Sequence, residues 1–465
     1  MGFRSLRVKG SFFSLARRAS GMFGTSGVRG PVGETITAEL ALSVGRALAL
    51  DSERVVVGRD PRESGELLAD ALAAGLRESG TAVIDLGVAA TPTIARAVAW
   101  LNADVGVAIT ASHNPATDNG IKLWQPTGQA FDDAMQATIA DRVEAGETDL
   151  RPWDDLGTIE TADLRRRHVD AIADTVEIDD PPSVVVDLGN GAGMVSVEAL
   201  QTLGCDVQTL NAQPDGSFPG RPSEPTAENC DALTRLLEAS DADLGIAHDG
   251  DADRMRAVTG DGEFIPGDVL LALLAREAAE PGQRVAVPVD TSIAVDDHLA
   301  EIDVSVTRTR VGDVYVAERV TESEVAFGGE PSGAWIWPEA TLCPDGPLAA
   351  AKLTALAAER PLEARVADVD TYPIRRESIE VAQKRAVMDR VEATVTESYD
   401  DVTTLDGVRV SFDDGWFLIR ASGTQPLVRV TAEARDAEQT RAYLSSATSL
   451  VGDARDETTG EKSRR

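Results

Sequence analysis

The sequence predicts an α/β protein of three similar domains with mixed, largely parallel sheets, plus a smaller C-terminal α+β domain, around one central cleft. Three observations carry this. The chain has 465 residues, too many for one hydrophobic core, so several domains are expected. Short β-branched runs alternate with helical periods in three successive sets, the pattern of βα units and a largely parallel sheet. From residue 368 onward that alternation gives way to strands that read as an antiparallel sheet with helices on one face.

The elements follow in order. Residues 37–50 have helical periodicity, 54–57 form a short β-branched strand, 65–79 a helix, 82–86 a strand, 92–101 a helix and 105–109 a buried strand. A second set covers 184–187, 192–203, 206–210, 227–239 and 244–247, and a third covers 285–289, 293–299, 304–307, 314–320 and 325–327. Each set ends in a strand that runs into an unusual loop. Ligands of open α/β sheets bind off the carboxyl ends of strands, so each domain is expected to offer one loop to a shared cleft. In the last part, strands are expected at 373–379, 407–412, 416–420 and 427–432, with helices at 383–394 and 437–450. The domain limits read as 22–153, 154–256, 257–367 and 368–452. A basic extension precedes them (1–21) and a charged, disordered tail follows (453–465).

The sharpest of these loops is Asp249-Gly-Asp-Ala-Asp-Arg254. Carboxylates at every second position, separated by small residues, can be turned to one point, which is how protein oxygens hold a hard cation such as Mg²⁺. An EF-hand is excluded, because its sixth position needs Gly and has Arg254, and its twelfth needs Glu and has Gly260. The loop Thr110-Ala-Ser-His-Asn-Pro115, followed by Asp118-Asn-Gly-Ile-Lys122, presents Ser112 as a nucleophile or phosphoryl carrier. His113 is a poor base for it, since adjacent side chains of extended backbone point to opposite sides. Gly328-Gly-Glu-Pro-Ser-Gly333 is a turn presenting Glu330 and Ser332. Arg420-Ala-Ser-Gly-Thr424, with Arg429, combines guanidiniums, hydroxyls and the approachable N–H of Gly423 into an anion site suited to phosphate. Asp187-Leu-Gly-Asn-Gly-Ala-Gly193 follows a strand and opens a helix, but Met194 stands where a dinucleotide fingerprint needs its last glycine, so it reads as a plain βα turn.

Taken together with Phe23-Gly-Thr-Ser-Gly-Val-Arg-Gly30, these loops stand in the order of one family, and from about Phe23 to Val451 the chain resembles the α-D-phosphohexomutases. The resemblance implies an isomerase that moves a phosphoryl group between the two ends of a sugar phosphate through a phosphoserine and a bisphosphate intermediate. By that match Ser112 is the phosphoserine. Asp249, Asp251 and Asp253 bind Mg²⁺ together with a phosphate oxygen on Ser112. Arg254 and Arg29 support charge, Lys122 shuttles a proton or contacts phosphate, and His113 hydrogen-bonds near the phosphoserine. Glu330 and Ser332 hold sugar hydroxyls. Arg420, Ser422, Gly423, Thr424 and Arg429 clamp the phosphate that is not reacting. A hexose bisphosphate activator is implied, and a homodimer is left open.

Within the family, Asp118-Asn-Gly-Ile-Lys122 and Val311-Gly-Asp313 are similar to the glucosamine branch, so glucosamine phosphates are the expected substrate. The alternatives are glucose, mannose or pentose phosphates. One departure is Ala334, where many relatives carry histidine. Two readings of other classes are a haloacid-dehalogenase-like phosphatase, which also places Asp-x-Asp after a strand, and a non-catalytic sugar-phosphate sensor. The phosphatase requires neither the Ser112 loop nor the Arg420 loop, and the intact serine and aspartates argue against the sensor.

Composition narrows the partners. A formal net charge of −34 argues against nucleic acid and anionic membranes. Only five of the 44 basic residues are lysine, and abundant carboxylates with scarce lysine point to a halophilic archaeal cytoplasm. Three cysteines, Cys205, Cys230 and Cys343, without CxxC spacing suit a reducing compartment. The longest apolar run, 269–275, is too short for a membrane span. Residues 1–21 carry Arg4, Arg7, Lys9, Arg17 and Arg18 and no acid, which fits an over-extended start ahead of Met22 better than a secretory signal.

Overall fold

The computed structural model describes residues 27–422 and 426–462. The basic extension, Phe23 to Ser26 of the first motif, Gly423 and Thr424 lie outside the described residues. The chain divides into two compact units, one running to Phe264 and including Glu339–Leu362, the other formed by Ile265–Pro338 and the residues from Glu363.

The first unit holds two sheets. Its six-stranded sheet has the order β1-β5-β4-β2-β3-β6, formed by β1 (Val28–Pro31), β2 (Arg54–Arg59), β3 (Ala82–Val88), β4 (Val105–Ile109), β5 (Asp118–Trp124) and β6 (Ile159–Thr161). The strands β4, β2, β3 and β6 run parallel, while β5 returns antiparallel beside β4 and β1 lies antiparallel beside β5. Continuous runs such as Val55-Val56-Val57 arise because both faces are covered. Val55 and Val57 pack in one core with α1 (Ala38–Ala49) and α2 (Gly65–Glu78), and Val56 packs in another with α3 (Thr91–Trp100). The helices α4 (Asp133–Ala145) and α5 (Arg165–Ala173) complete this part. The second sheet has the order β10-β9-β7-β8, from β7 (Ser183–Asp187), β8 (Asp206–Leu210), β9 (Leu244–His248) and β10 (Met255–Thr259), with α6 (Met194–Thr202) and α7 (Asp231–Glu238).

In the second unit, β11 (Arg284–Pro288), β12 (Ser305–Thr309), β13 (Val325–Gly329) and β14 (Trp335–Ile336) form a sheet of order β12-β11-β13-β14. It is accompanied by α8 (Gly267–Ala278), α9 (Ile293–Ala300) and α10 (Asp313–Arg319). The C-terminal sheet is wholly antiparallel, with β15 (Ile374–Glu380), β16 (Val402–Thr403), β17 (Val408–Phe412), β18 (Gly415–Ala421) and β19 (Leu427–Ala434) in the order β15-β19-β18-β17-β16. The helices α11 (Lys384–Ser398) and α12 (Ala437–Lys462) share its core through Val387, Val391, Val395, Tyr443, Ala447 and Val451.

The expected strand–helix alternation is present, and each of the three α/β sets does end in a strand running into its motif loop. What the alternation did not predict is that the chain then turns back. The pairs β4–β5, β9–β10 and β13–β14 are antiparallel, so every motif loop is the connection of a β-hairpin. Two other expectations differ. Residues 154–161, assigned to the second domain, include β6, which pairs with β3 of the first sheet. Glu339–Leu362, at the end of the expected third domain, clusters by its contacts with the first unit. There Asp345 accepts hydrogen bonds from Arg96 Nε at 2.8 Å and pairs with His168 Nε2 at 3.0 Å. Residues 453–462, expected as a disordered tail, continue α12, because Ala454 and Thr458 are buried and Glu457 pairs with Arg390 at 3.0 Å. No described helix is long and apolar enough to cross a membrane.

The crossing of α1 and α2 gives a direct test of this packing. A Cβ on Gly75 would lie 2.2 Å from the Leu42 carbonyl oxygen, and one on Gly45 would lie 2.3 Å from that of Leu72. Alanine normally stabilises a helix interior by about 0.5–1 kcal/mol over glycine, but here it meets backbone that cannot rotate away. Gly75→Ala is expected to lower stability by about 1–3 kcal/mol, read as a falling urea midpoint; an unchanged or rising midpoint would contradict this packing.

Candidate active site

The turn after β4 is held by its own side chains. Thr110 Oγ1 accepts from the Ser112 amide at 2.8 Å, and Asn114 Nδ2 donates to Asp118 at 3.0 Å. Ser112 is 1% exposed and has φ +52, a left-handed conformation that non-glycine residues avoid at a cost of about 1–2 kcal/mol. Such strain concentrates at functional sites. It also revises the role of His113. In extended backbone its ring would point away from Ser112; with the backbone turned left-handed, Nδ1 lies 3.3 Å from Ser112 Oγ. Burial, then the charges of Arg254 and Arg29, push the His113 pKa down to about 3, so the ring is neutral near pH 7.

The hairpin between β9 and β10 carries the carboxylates. Ala252 at its centre is also left-handed, with φ +56. This turns Asp249, Asp251 and Asp253 to one point, where they are buried and offer oxygens within 4.8 Å of one another. Ser112 Oγ donates to Asp249 at 2.6 Å, Thr91 Oγ1 to Asp251 at 2.7 Å, and Lys122 Nζ to Asp253 at 2.6 Å. Burial, then repulsion from Asp251 and Asp253, raises the Asp249 pKa well above the ordinary carboxylate value. For Asp253, burial works in the same direction but is outweighed by Lys122 and Arg254, and its pKa falls to about 2. One oxygen of Asp251 and one of Asp253 are buried with no hydrogen-bond partner. Two bare oxygens in a cluster of three buried carboxylates are what a hard divalent cation requires.

Lys122, read as part of a loop, stands on β5, and Arg29 on β1 is the cross-strand partner of Gly120 on β5. Both act electrostatically on His113 and Asp253. The first unit therefore brings together Ser112, His113, Lys122, Arg29, Arg254 and the three aspartates. Sequence reasoning missed Thr91, which clamps Asp251. It also missed Arg62, a buried arginine whose guanidinium donates to the carbonyls of Ser112 and Asn114 at 2.9 and 2.7 Å. The segment Gly58-Arg-Asp-Pro-Arg62, where an otherwise clean β-strand runs into charge, was the available signal.

The remaining residues lie in the second unit. Glu330 accepts from the Gly312 amide at 2.8 Å and from Ser332 Oγ at 3.2 Å. The turn Val311-Gly-Asp313 and the Glu330 turn are thus hydrogen-bonded to each other, with Asp313 buried at the first position of α10. Ala334 is buried, and its carbonyl accepts from the Glu330 amide at 2.9 Å. Arg420 and Arg429 are cross-strand partners on β18 and β19. Arg420 donates to Asp406 at 3.0 Å, and Asp406 also accepts from the Val311 amide at 3.1 Å. Ser422 is buried, and Lys384 Nζ donates to its carbonyl at 2.5 Å. Lys384 is a further cation, beside Ser422, that sequence reasoning did not single out as a site residue.

Comparison with known proteins agrees with this geometry. The chain matches the phosphoglucomutase/phosphomannomutase alpha/beta/alpha domain I over residues 20–149, domain II over 166–262, domain III over 266–372 and the C-terminal domain over 364–447. It is 47% identical over 433 residues to a protein of Methanopyrus kandleri named probable phosphoglucosamine mutase, covering 90% of this chain and 95% of that one. It is 45% identical over 432 residues to a protein of the same name from Methanothermobacter thermautotrophicus, covering 90% and 95%. Among solved structures, a phosphoglucomutase/phosphomannomutase family protein from Burkholderia thailandensis superposes with a TM-score of 0.85 at 29% identity, covering 93% of this chain and 97% of that one. Four family domains matched in order, with the serine hairpin and the carboxylate hairpin in contact, make the chain a member of the phosphoglucomutase/phosphomannomutase family of isomerase enzymes, the phosphohexomutases.

Proposed function

We propose that the protein interconverts glucosamine 6-phosphate and glucosamine 1-phosphate, with Ser112 as the phosphoryl carrier. The observation that carries the mechanism is Ser112 Oγ, buried and 2.6 Å from Asp249 within the three-carboxylate cluster. In the first half-reaction a free sugar hydroxyl attacks the phosphorus on Ser112. A sugar O–P bond forms, the Ser112 Oγ–P bond breaks, the proton given up by the attacking hydroxyl replaces the phosphoryl group on Ser112 Oγ, and Lys122, an ammonium paired with Asp253, contacts phosphate. The bisphosphate then turns end for end, and Ser112 Oγ takes back the other phosphoryl group. Asp249, Asp251 and Asp253 hold Mg²⁺, which when bound offsets the charge of the transferring phosphoryl group. Arg29 and Arg254 add positive charge at the same place. His113 is neutral and so can accept or donate one hydrogen bond beside the serine without adding charge.

In the same reading Glu330 and Ser332 hold sugar hydroxyls. Arg420, Ser422, Gly423, Thr424 and Arg429 hold the phosphate that is not reacting. A hexose bisphosphate restores the phosphoserine whenever the intermediate escapes. The preference for an amino sugar is supported by the relatives named probable phosphoglucosamine mutase and by the buried carboxylate of Asp313 on the turn hydrogen-bonded to Glu330, since an ammonium gains from nearby negative charge. The net charge of −34 and the five lysines support a protein adapted to a salty cytoplasm, where carboxylate repulsion is screened within about 3 Å at molar ionic strength.

Three outcomes are expected. Peptide mapping finds one phosphoryl group, on Ser112; Ser112→Ala loses nearly all mutase turnover, as does the wild type after chelation until Mg²⁺ is returned. Normal turnover in Ser112→Ala, or full activity after exhaustive chelation, refutes the mechanism. Across sugar 1-phosphates, kcat/KM is highest for glucosamine; a ratio to glucose or mannose well below one moves the substrate to those sugars, and net release of inorganic phosphate would favour a phosphatase. The melting temperature rises between dilute buffer and molar KCl, and a flat response would count against the salt-adapted reading.

A further inference from the structure

We propose that Arg62 is a positioning residue for phosphoryl transfer, holding Ser112 in its left-handed conformation and so aiming Oγ at the carboxylate cluster. The inference rests on Ser112 being the phosphoryl carrier. Arg62 is fully buried, and its guanidinium uses all five N–H donors. Nε donates to Asp60 at 2.9 Å, one terminal nitrogen donates to the carbonyls of Pro115 and Asp118 at 2.5 and 2.8 Å, and the other donates to those of Ser112 and Asn114 at 2.9 and 2.7 Å. Four carbonyls of one turn therefore converge on one planar cation. A lysine ammonium has three donors and no fixed plane, and cannot reproduce this fork.

The grip is itself anchored. Asp60 accepts from Thr110 Oγ1 at 2.7 Å and from the Arg62 amide at 3.0 Å, so the carboxylate that fixes the guanidinium also fixes the residue that holds the Ser112 amide. The ring of Phe218 covers the guanidinium, with its centroid 5.0 Å away. Ser223 supplies a second connection: its Oγ donates to the Ser112 carbonyl at 2.7 Å and accepts from the Gly250 amide at 3.0 Å. The Ser112 carbonyl thus receives one hydrogen bond from Arg62 and one from Ser223, and through Ser223 it is tied to the backbone of the carboxylate hairpin. Neither Arg62 nor Ser223 touches the reacting oxygen. They orient the peptide that carries it. A misplacement of about 1 Å at a reacting group can cost on the order of 10²-fold in rate.

The test compares wild type, Arg62→Lys and Ser223→Ala for steady-state turnover of a hexose 1-phosphate and for the rate at which Ser112 takes phosphate from the hexose bisphosphate. The ³¹P resonance of the phosphoserine is recorded as well. Both variants are expected to fold, with kcat reduced about 10²-fold in Arg62→Lys and about 10-fold in Ser223→Ala. KM should stay within about two-fold of wild type, because substrate contacts are untouched. The ³¹P resonance should move toward that of a solvent-exposed phosphoserine. Because a loss of folded enzyme also lowers apparent kcat at constant KM, turnover is normalised to the folded fraction read by circular dichroism, and the ³¹P shift, which a loss of folded enzyme leaves in place, separates the two. Either folded variant with wild-type kcat overturns the proposal, as does a loss carried in KM. If Arg62→Lys fails to fold, Ser223→Ala decides. A wild type with no phosphate on Ser112 and no mutase activity would instead be a failure of the underlying functional reading.

Discussion

Three carboxylates buried within 4.8 Å of one another repel by about 3–4 kcal/mol per ionised pair at an effective dielectric of about 20, and much of the first unit is arranged to make that tolerable. Lys122 on β5 stabilises Asp253, Thr91 at the start of α3 bonds Asp251, and the charges of Arg29 and Arg254 reach the same point. Asp249 carries what is left of the burden as a raised pKa. A bound divalent cation would remove that burden, which makes the bare oxygens of Asp251 and Asp253 a property of the site and no packing defect. The same cluster draws Ser112 Oγ to Asp249, so the buried serine and the carboxylate cluster are placed by one set of forces.

The hairpin is the device that delivers each loop. A parallel strand ends where its helix crossover begins, and a loop there is free at one end. Where the chain returns antiparallel, both ends of the loop are held by ladder hydrogen bonds. The Ser112 turn spans β4 and β5, and the carboxylate turn spans β9 and β10. Both contain a left-handed non-glycine residue, Ser112 and Ala252, which the surrounding bonds over-determine. Rigid loops at the ends of paired strands suit a reaction that depends on placing a phosphoryl group between two oxygens.

In the second unit a different economy applies. Glu433 of β19 is buried and accepts from Ser292 Oγ, the Ile293 amide and Trp416 Nε1 at 2.5, 2.9 and 2.6 Å. One carboxylate so ties the antiparallel sheet to the start of α9. Asp406 does the same between Arg420 and the Val311 turn. The residues proposed for phosphate and for sugar in this unit are thereby linked through the Asp406 carboxylate and the hydrogen bond from the Gly312 amide to Glu330.

Much of this was readable from the chain. Runs such as Val55-Val56-Val57 and the helical periods around them determine the α/β alternation, because burial on both faces writes a continuous apolar strand. The alternate spacing of Asp249, Asp251 and Asp253 points to carboxylates turned to one place, which is where the fold puts them, and the order of the motifs points to the family. Tertiary structure alone decided the rest. The returning strands β5, β10 and β14 share no sequence pattern, running from the seven residues of Asp118–Trp124 to the two of Trp335–Ile336, and their partners are found only through ladder bonds. The meeting of Asp345 with Arg96 and His168, far apart in the chain, is likewise visible only in the fold. His113 could be judged against extended backbone, but not against a left-handed Ser112 that a distant arginine holds in place. Local periodicity records which face of an element is buried; it carries no record of which buried donor will meet which carbonyl, and that is where this site is made.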